Sequence, residues 1–142
     1  MLSLVMIMIT YLFNFADWGV LLLRVVFGLI FLLHGWMKIK NLKNTQEWFS
    51  SIGFKPGGFW GTLVMLVETV GGLLMIVGLL TQITALFLAA VMVVATLWKI
   101  RNGQGLINGY ELDLILLVVA LAFLVNAGGL YSLDAYWRIV LF

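Results

Sequence analysis

The sequence contains no cysteine. Disulfides, thiol redox chemistry and cysteine-ligated iron–sulfur clusters are therefore excluded within this chain. The redox compartment stays open, because a cysteine-free chain suits either side of a membrane. Histidine is almost as scarce: His34 stands alone. A bis-histidine haem cannot be built inside one copy, and a zinc or iron site lacks clustered ligands. Charge is thin as well, at 10% of residues, against about 25% in an ordinary soluble domain. The net charge of +2 is scattered, with no basic patch and interleaved aromatics, so nucleic acid is not expected as a partner. There is no Gly-rich phosphate loop and no nucleophile–base–orienter set. Proline occurs once, at Pro56.

What the chain has is apolar side chains: 64% of 142 residues. That length suits one compact domain over residues 1–142, and too few polar residues remain to give it a polar shell. Lipid as the solvent removes the difficulty. A crossing helix needs roughly 20 mostly apolar residues, and stretches at about 18–37, 59–80, 83–98 and 112–127 qualify. Backbone groups in lipid must be satisfied internally, so helices or a closed barrel are the choices. The runs are continuous rather than alternating, which favours helices. The expectation is an all-α, polytopic membrane protein built as a four-helix bundle.

The apolar residues 1–16 carry no Lys or Arg, and no cleavage site follows, so a signal peptide is not the reading. They read as an interfacial lead-in or an extension of the first helix. Between the first two spans, residues 45–52 form a plausible short amphipathic helix closed by Gly53. Residues 99–110 contain Asn102, Gly103, Gly105, Asn108 and Gly109, a turn-rich linker. Lys38, Lys40, Lys43, Lys55, Lys99 and Arg101 fall at one end of the bundle, and only Arg138 falls at the other. The positive-inside rule places the first end in the cytoplasm and both termini outside. Trp18, Trp36, Trp60, Trp98 and Trp137 sit near span ends and read as interfacial anchors.

An ionisable side chain within a span costs roughly 2.5–3.5 kcal/mol on insertion scales and needs a reason. Arg24 lies a third of the way into the first span and Glu68 at the middle of the second. Span boundaries put them about four residues apart in depth, roughly 6 Å, so an Arg24–Glu68 pair is expected. Asp134, just beyond the fourth span, is the rival partner for Arg24. This intramembrane polar site serves proton or ligand handling; the plainer alternative is an ion pair that fixes helix packing. A second candidate, at the cytoplasmic end, gathers His34, Lys38, Tyr110 and Glu111. Its plainer alternative has Lys38 snorkelling to the interface, with Glu111 and Asp113 favouring a helix N-terminus. Gly28, Gly35, Gly71 and Gly72 flank the charged stripe and mark close packing of the first two spans.

The pattern of Arg24, Gly28, His34, Gly35 and Lys38, then Gly53, Glu68, Gly71, Gly72 and Gly78, resembles the DoxX family. Tyr110, Glu111 and the closing Ser132–Leu133–Asp134 add to the likeness, which covers roughly residues 18–134. Where proteins that look like this run into a glycine–proline–glycine turn, this chain has Asn126–Ala127–Gly128–Gly129. The resemblance implies a four-helix protein of the prokaryotic cell membrane. It also implies kinship with subunits associated with quinol oxidation and thiosulfate–quinone oxidoreduction.

Three functions follow as expectations. The first is an accessory, non-catalytic subunit of a membrane oxidoreductase, contacting quinone or quinol and relying on a cofactor-bearing partner subunit. His34, Lys38 or Arg24 would donate to quinone carbonyls, and Glu68 or Glu111 would pass protons. The second is a structural membrane scaffold. The third is a small-solute or proton carrier, which with four helices requires a homo-oligomer. No cofactor is bound covalently or by a clear motif, and no metal is expected.

Overall fold

The computed structural model describes residues 2–139; Met1, the first of the apolar residues 1–16, lies outside the described residues. The elements run α1 (Leu2–Lys40), α2 (Leu42–Ser51), α3 (Gly57–Val77), α4 (Thr81–Arg101), α5 (Glu111–Asn126) and α6 (Leu133–Trp137). No strand occurs among the described residues. Four stretches, Leu4–Lys40, Gly57–Val77, Thr81–Arg101 and Leu106–Asn126, are long and apolar enough to cross a membrane, and α2 and α6 are the short helices at the two ends of the bundle. We call the end carrying α2 the basic end and the opposite one the terminal end.

Each helix stops for a local reason. Gly78 ends α3 in the left-handed region (φ 71°), and its N–H donates to the Leu74 carbonyl. Leu79 N–H donates to the same carbonyl at 3.0 Å, so the orphan acceptors of the last turn are taken up. At the end of α4 the Asn102 side chain donates to the Trp98 carbonyl at 2.7 Å. Residues 106–110 are an irregular turn, with Ile107 extended and Asn108 left-handed. Glu111 and Asp113 then occupy the first turn of α5, where the helix dipole favours anions. α6 starts at Ser132, whose Oγ accepts from Ala135 N–H at 3.1 Å.

α1 and α3 run antiparallel in a register set by glycines. A methyl group at Gly28 would lie 2.7 Å from the Gly72 carbonyl oxygen, and one at Gly35 would lie 2.7 Å from the Thr69 nitrogen. One at Gly72 would meet the Leu32 backbone. Only hydrogen fits at these three positions, so the two backbones touch. Gly71 points elsewhere, against Leu88 of α4. Phe27, Phe31, Met75, Leu88, Ala120 and Phe123 fill the centre of the bundle. Phe27 meets Phe31 and Phe123 at centroid distances of 4.9 and 5.8 Å. Outside this core, Leu29, Leu66, Leu73, Phe87 and Val118 are exposed, as expected where the surrounding solvent is lipid.

α1 has 39 residues, about 58 Å at 1.5 Å per residue, well beyond the roughly 30 Å of a hydrocarbon core. Trp18 packs on Tyr131 with centroids 4.8 Å apart, which levels it with the turn after α5. The residues before Trp18 continue the same helix past the terminal end.

Candidate functional site

At the basic end, α2 forms a floor beneath the crossing helices. Its position is dictated by two glycines on α3. A methyl group at Gly61 would come within 3.1 Å of Gln46 Cα, and Gly57 lies tight against Gln46 and Ser50. The Gln46 amide donates to Thr62 Oγ1 at 2.9 Å and pins the two helices together. The apolar face of α2 then turns inward: Phe49 is buried, and Trp48 meets Trp98 of α4 edge-on at 5.5 Å. Above this floor lies a cavity of about 210 Å³. Trp48, Phe49, Phe54, Val64, Met92 and Trp98 give it apolar walls, and Lys38, Glu68 and Lys99 are its charged groups.

The charges are paired across helices. Lys38 Nζ of α1 donates to Glu68 Oε2 of α3. Lys99 Nζ of α4 is 2.7 Å from Asp113 Oδ2 of α5 and donates to the Gly109 carbonyl at 3.2 Å. These are the ion pairs among the described residues. Glu68 is 4% exposed, so its charge depends on Lys38. His34 lies one turn before Lys38 and within electrostatic range of Glu68. Its Nδ1 is 2.8 Å from the Ile30 carbonyl, and donation from that nitrogen leaves Nε2 as the acceptor of the neutral ring. The chemistry available is hydrogen-bond donation and proton transfer at the edge of an apolar space. No group of three or more metal-ligating side chains occurs among the described residues.

The expected Arg24–Glu68 pair does not form, and the helix register explains why. With Gly28 against Gly72 and Ile76, the Arg24 guanidinium lies against Gly78 at the end of α3. That is ten residues beyond Glu68, or about 15 Å along the axis, so the side chain does not reach Glu68. Span boundaries read from hydropathy miss this offset because they do not fix how far one helix slides along another. Arg24 serves the terminal end instead. It is 1% exposed and donates to the Gly128 carbonyl at 2.5 Å and the Tyr131 carbonyl at 2.8 Å. Its guanidinium occupies the space where a side chain on Gly78 would lie. Asp134 supplies the neighbouring negative charge. That carboxylate accepts from Leu80 N–H and Thr81 N–H, each at 2.7 Å, and so caps α4. The candidate intramembrane site therefore divides: Arg24 and Asp134 lie at one end, and Glu68 lies towards the other.

The second candidate cluster also changes membership. Lys38 and His34 are at the basic end, but Lys38 bonds Glu68 rather than Glu111. Glu111 is exposed at the start of α5, and Tyr110 is half-buried in the turn before it. Their neighbour Asp113 is the α5 carboxylate that faces inward, to Lys99. Sequence reading passes over Trp48, Phe49, Phe54 and Lys99 as cavity residues. The signal available for the first two is the amphipathic pattern of α2, whose aromatic face needs a partner. Lys99, at a span end, carries no signal beyond its charge.

The DoxX family model matches residues 19–100. The chain is 33% identical to "Inner membrane protein YqjF" of Escherichia coli (strain K12) over 121 residues, 83% of this chain and 91% of that protein. It is 29% identical to "Putative oxidoreductase CatD" of Bacillus subtilis (strain 168) over 118 residues, 83% of this chain and 86% of that protein. No solved structure matches it. With a membrane-spanning bundle and a family match over more than half its length, the chain belongs to the DoxX family.

Proposed function

We propose that this protein is an accessory subunit of a membrane redox system and binds the headgroup of a quinone or quinol in the cavity at the basic end. The observation that carries the reading is the cavity itself: apolar, aromatic-walled, and edged by Lys38–Glu68 and by Lys99. At about 210 Å³ it is smaller than the roughly 300–1,000 Å³ of drug-sized sites and suits a one-ring or two-ring headgroup. Lysine ammonium groups donate to quinone carbonyls, and Glu68 accepts or returns protons. Reduction of a quinone to a quinol takes two electrons and two protons. The electrons come from a cofactor-bearing partner, since this cysteine-free chain supplies only binding and proton-handling groups. A relative whose name calls it an oxidoreductase is consistent with this role. A carrier reading has less support, because Phe27, Phe31, Met75, Leu88 and Phe123 fill the bundle between Glu68 and the terminal end.

Purification from the native membrane in mild detergent, followed by absorbance and mass spectrometry, tests the reading. A copurifying quinone is expected, lost in Ala95→Phe, which fills the cavity, and in Glu68→Gln, while both variants melt near the parent temperature. A wild-type protein free of quinone and of any cofactor-bearing partner would sink the proposal. The basic end is proposed to face the cytoplasm, on the six cations gathered there. Absence of native cysteine makes single-cysteine labelling at Lys43 and Tyr136 a clean check of that orientation.

A further inference from the structure

The headgroup cavity is not closed on all sides. Ile52, Phe54, Val94 and Trp98 line both it and a second, larger hollow of about 690 Å³ that also takes in Leu97 and Arg101. Val94, Leu97, Trp98 and Arg101 recur at helical spacing, so the hollow runs along one stripe of α4. Val94 and Leu97 are exposed at 46% and 60%, on a helix long and apolar enough to cross the membrane. The opening is therefore on the flank of the bundle, where lipid is the solvent. The cavity and the hollow adjoin along the shared wall of Ile52, Phe54, Val94 and Trp98: the ammonium groups lie on the inner side, Val94 and Leu97 face outward, and Arg101 and Asn102 edge the hollow towards the basic end.

From this shared wall we infer that the ligand is a long-tailed amphiphile, an isoprenoid quinone, that enters sideways from the bilayer between α4 and the turn after α2. Its ring sits beside Lys38 and Glu68, and its tail leaves through the groove over Val94 and Leu97. The inference rests on the quinone-headgroup reading and adds the route and the tail. A tail gains little by moving from lipid into an apolar groove. The groove's role is thus to let the ring reach the charged groups while the tail stays in the membrane.

The test compares menaquinone with tail-less menadione, and ubiquinone with its tail-less ring, for binding to wild type and to Leu97→Trp in lipid nanodiscs. Leu97 lines the outer hollow and not the headgroup cavity. Affinity for the tailed probes is expected to fall about tenfold or more, which is about 1.4 kcal/mol per factor of ten, and that for the tail-less rings to change less than about twofold. A menaquinone carrying a photoreactive group on its tail gives a second readout independent of how the new indole packs. Its adducts are expected on residues 52–54 and 94–101. Adducts scattered over α1 and α5, or equal loss of tailed and tail-less binding in Leu97→Trp, would overturn the inference while leaving the headgroup reading intact. Groove adducts displaced by added anionic phospholipid, with no change in ring binding, would assign the groove to a lipid and also overturn it. Failure of every quinone to bind removes the headgroup reading and this inference together.

Discussion

The two ends of the bundle treat buried charge in opposite ways. At the terminal end, Arg24 and Asp134 are 1% and 3% exposed, and each spends its hydrogen bonds on backbone. Arg24 holds the turn after α5 by two carbonyls, and Asp134 holds the α3–α4 turn by two N–H groups. Asp134 N–H also donates to the Gly78 carbonyl at 2.9 Å. Three stretches distant in sequence meet there, with little space beside the charges. At the basic end the charged partners are side chains, and Lys38 and Lys99 keep about a quarter of their surface exposed. The Lys38–Glu68 pair and Lys99 border a cavity with apolar walls. Charge packed against backbone is a clamp, whereas charge beside a cavity has something left to bind.

Asp134→Ala gives the largest expected effect. It strips two backbone donors of their acceptor and leaves Arg24 without its neighbouring charge, the situation that costs about 3–5 kcal/mol in buried pairs. Thermal unfolding of the purified protein in detergent should show the loss, and a variant melting like wild type would break the distinction between the ends. Gly72→Ala comes next. Its methyl group would meet the Leu32 backbone and the Gly28 carbonyl oxygen, and overpacking of this kind costs about 1–3 kcal/mol. Gly19→Ala is the control, since nothing lies within 4 Å of a methyl group there; relief of the glycine penalty should leave it neutral or stabilised by up to about 1 kcal/mol.

These substitutions also show where sequence reading ends. Four crossing helices are legible because lipid lets apolar runs stand without a polar shell, and each run is long enough to span. Gly28, Gly35 and Gly72 are legible as packing positions for the same reason that small residues mark close helix approach. Register is not legible. Hydropathy locates each span to within a few residues and does not fix how far one helix slides along another, so an expected offset of about four residues becomes an Arg24 side chain lying against Gly78. Only the pairwise fit of Gly28 and Gly35 against α3 decides it. The cavity is hidden for a related reason. Trp48 and Phe49 are visible as one face of a short helix, but which wall they complete depends on how α2 docks over Gly57 and Gly61.

Glu68→Gln should separate the ends by kind of effect rather than size. Lys38 is flexible and partly exposed, so it can swing toward the interface when its partner is neutral. The expected stability change is about 1 kcal/mol, in the range of partly exposed pairs, set against loss of retained quinone. The double variant Lys38→Met with Glu68→Leu should recover the stability, since well-packed apolar residues replace ion pairs at little cost, and should still bind no quinone. Restored binding in that double variant would show that the pair does not serve the ligand.

The smallest expected effect improves the clamp. Ala127, directly after α5, adopts φ 57° and ψ −162°, a region that only glycine occupies without strain and that costs other residues about 1–3 kcal/mol. Glycine relieves that strain but gives the unfolded chain more freedom, which takes back part of the gain. Ala127→Gly should therefore raise stability by about 1 kcal/mol, read as a higher melting temperature in detergent. It should leave quinone retention unchanged, because the turn belongs to the end that holds Arg24 and lies across the filled core from Lys38 and Glu68. A rise in stability accompanied by altered quinone binding would mean that the two ends are coupled through that core, and the division between clamp and site would have to be given up.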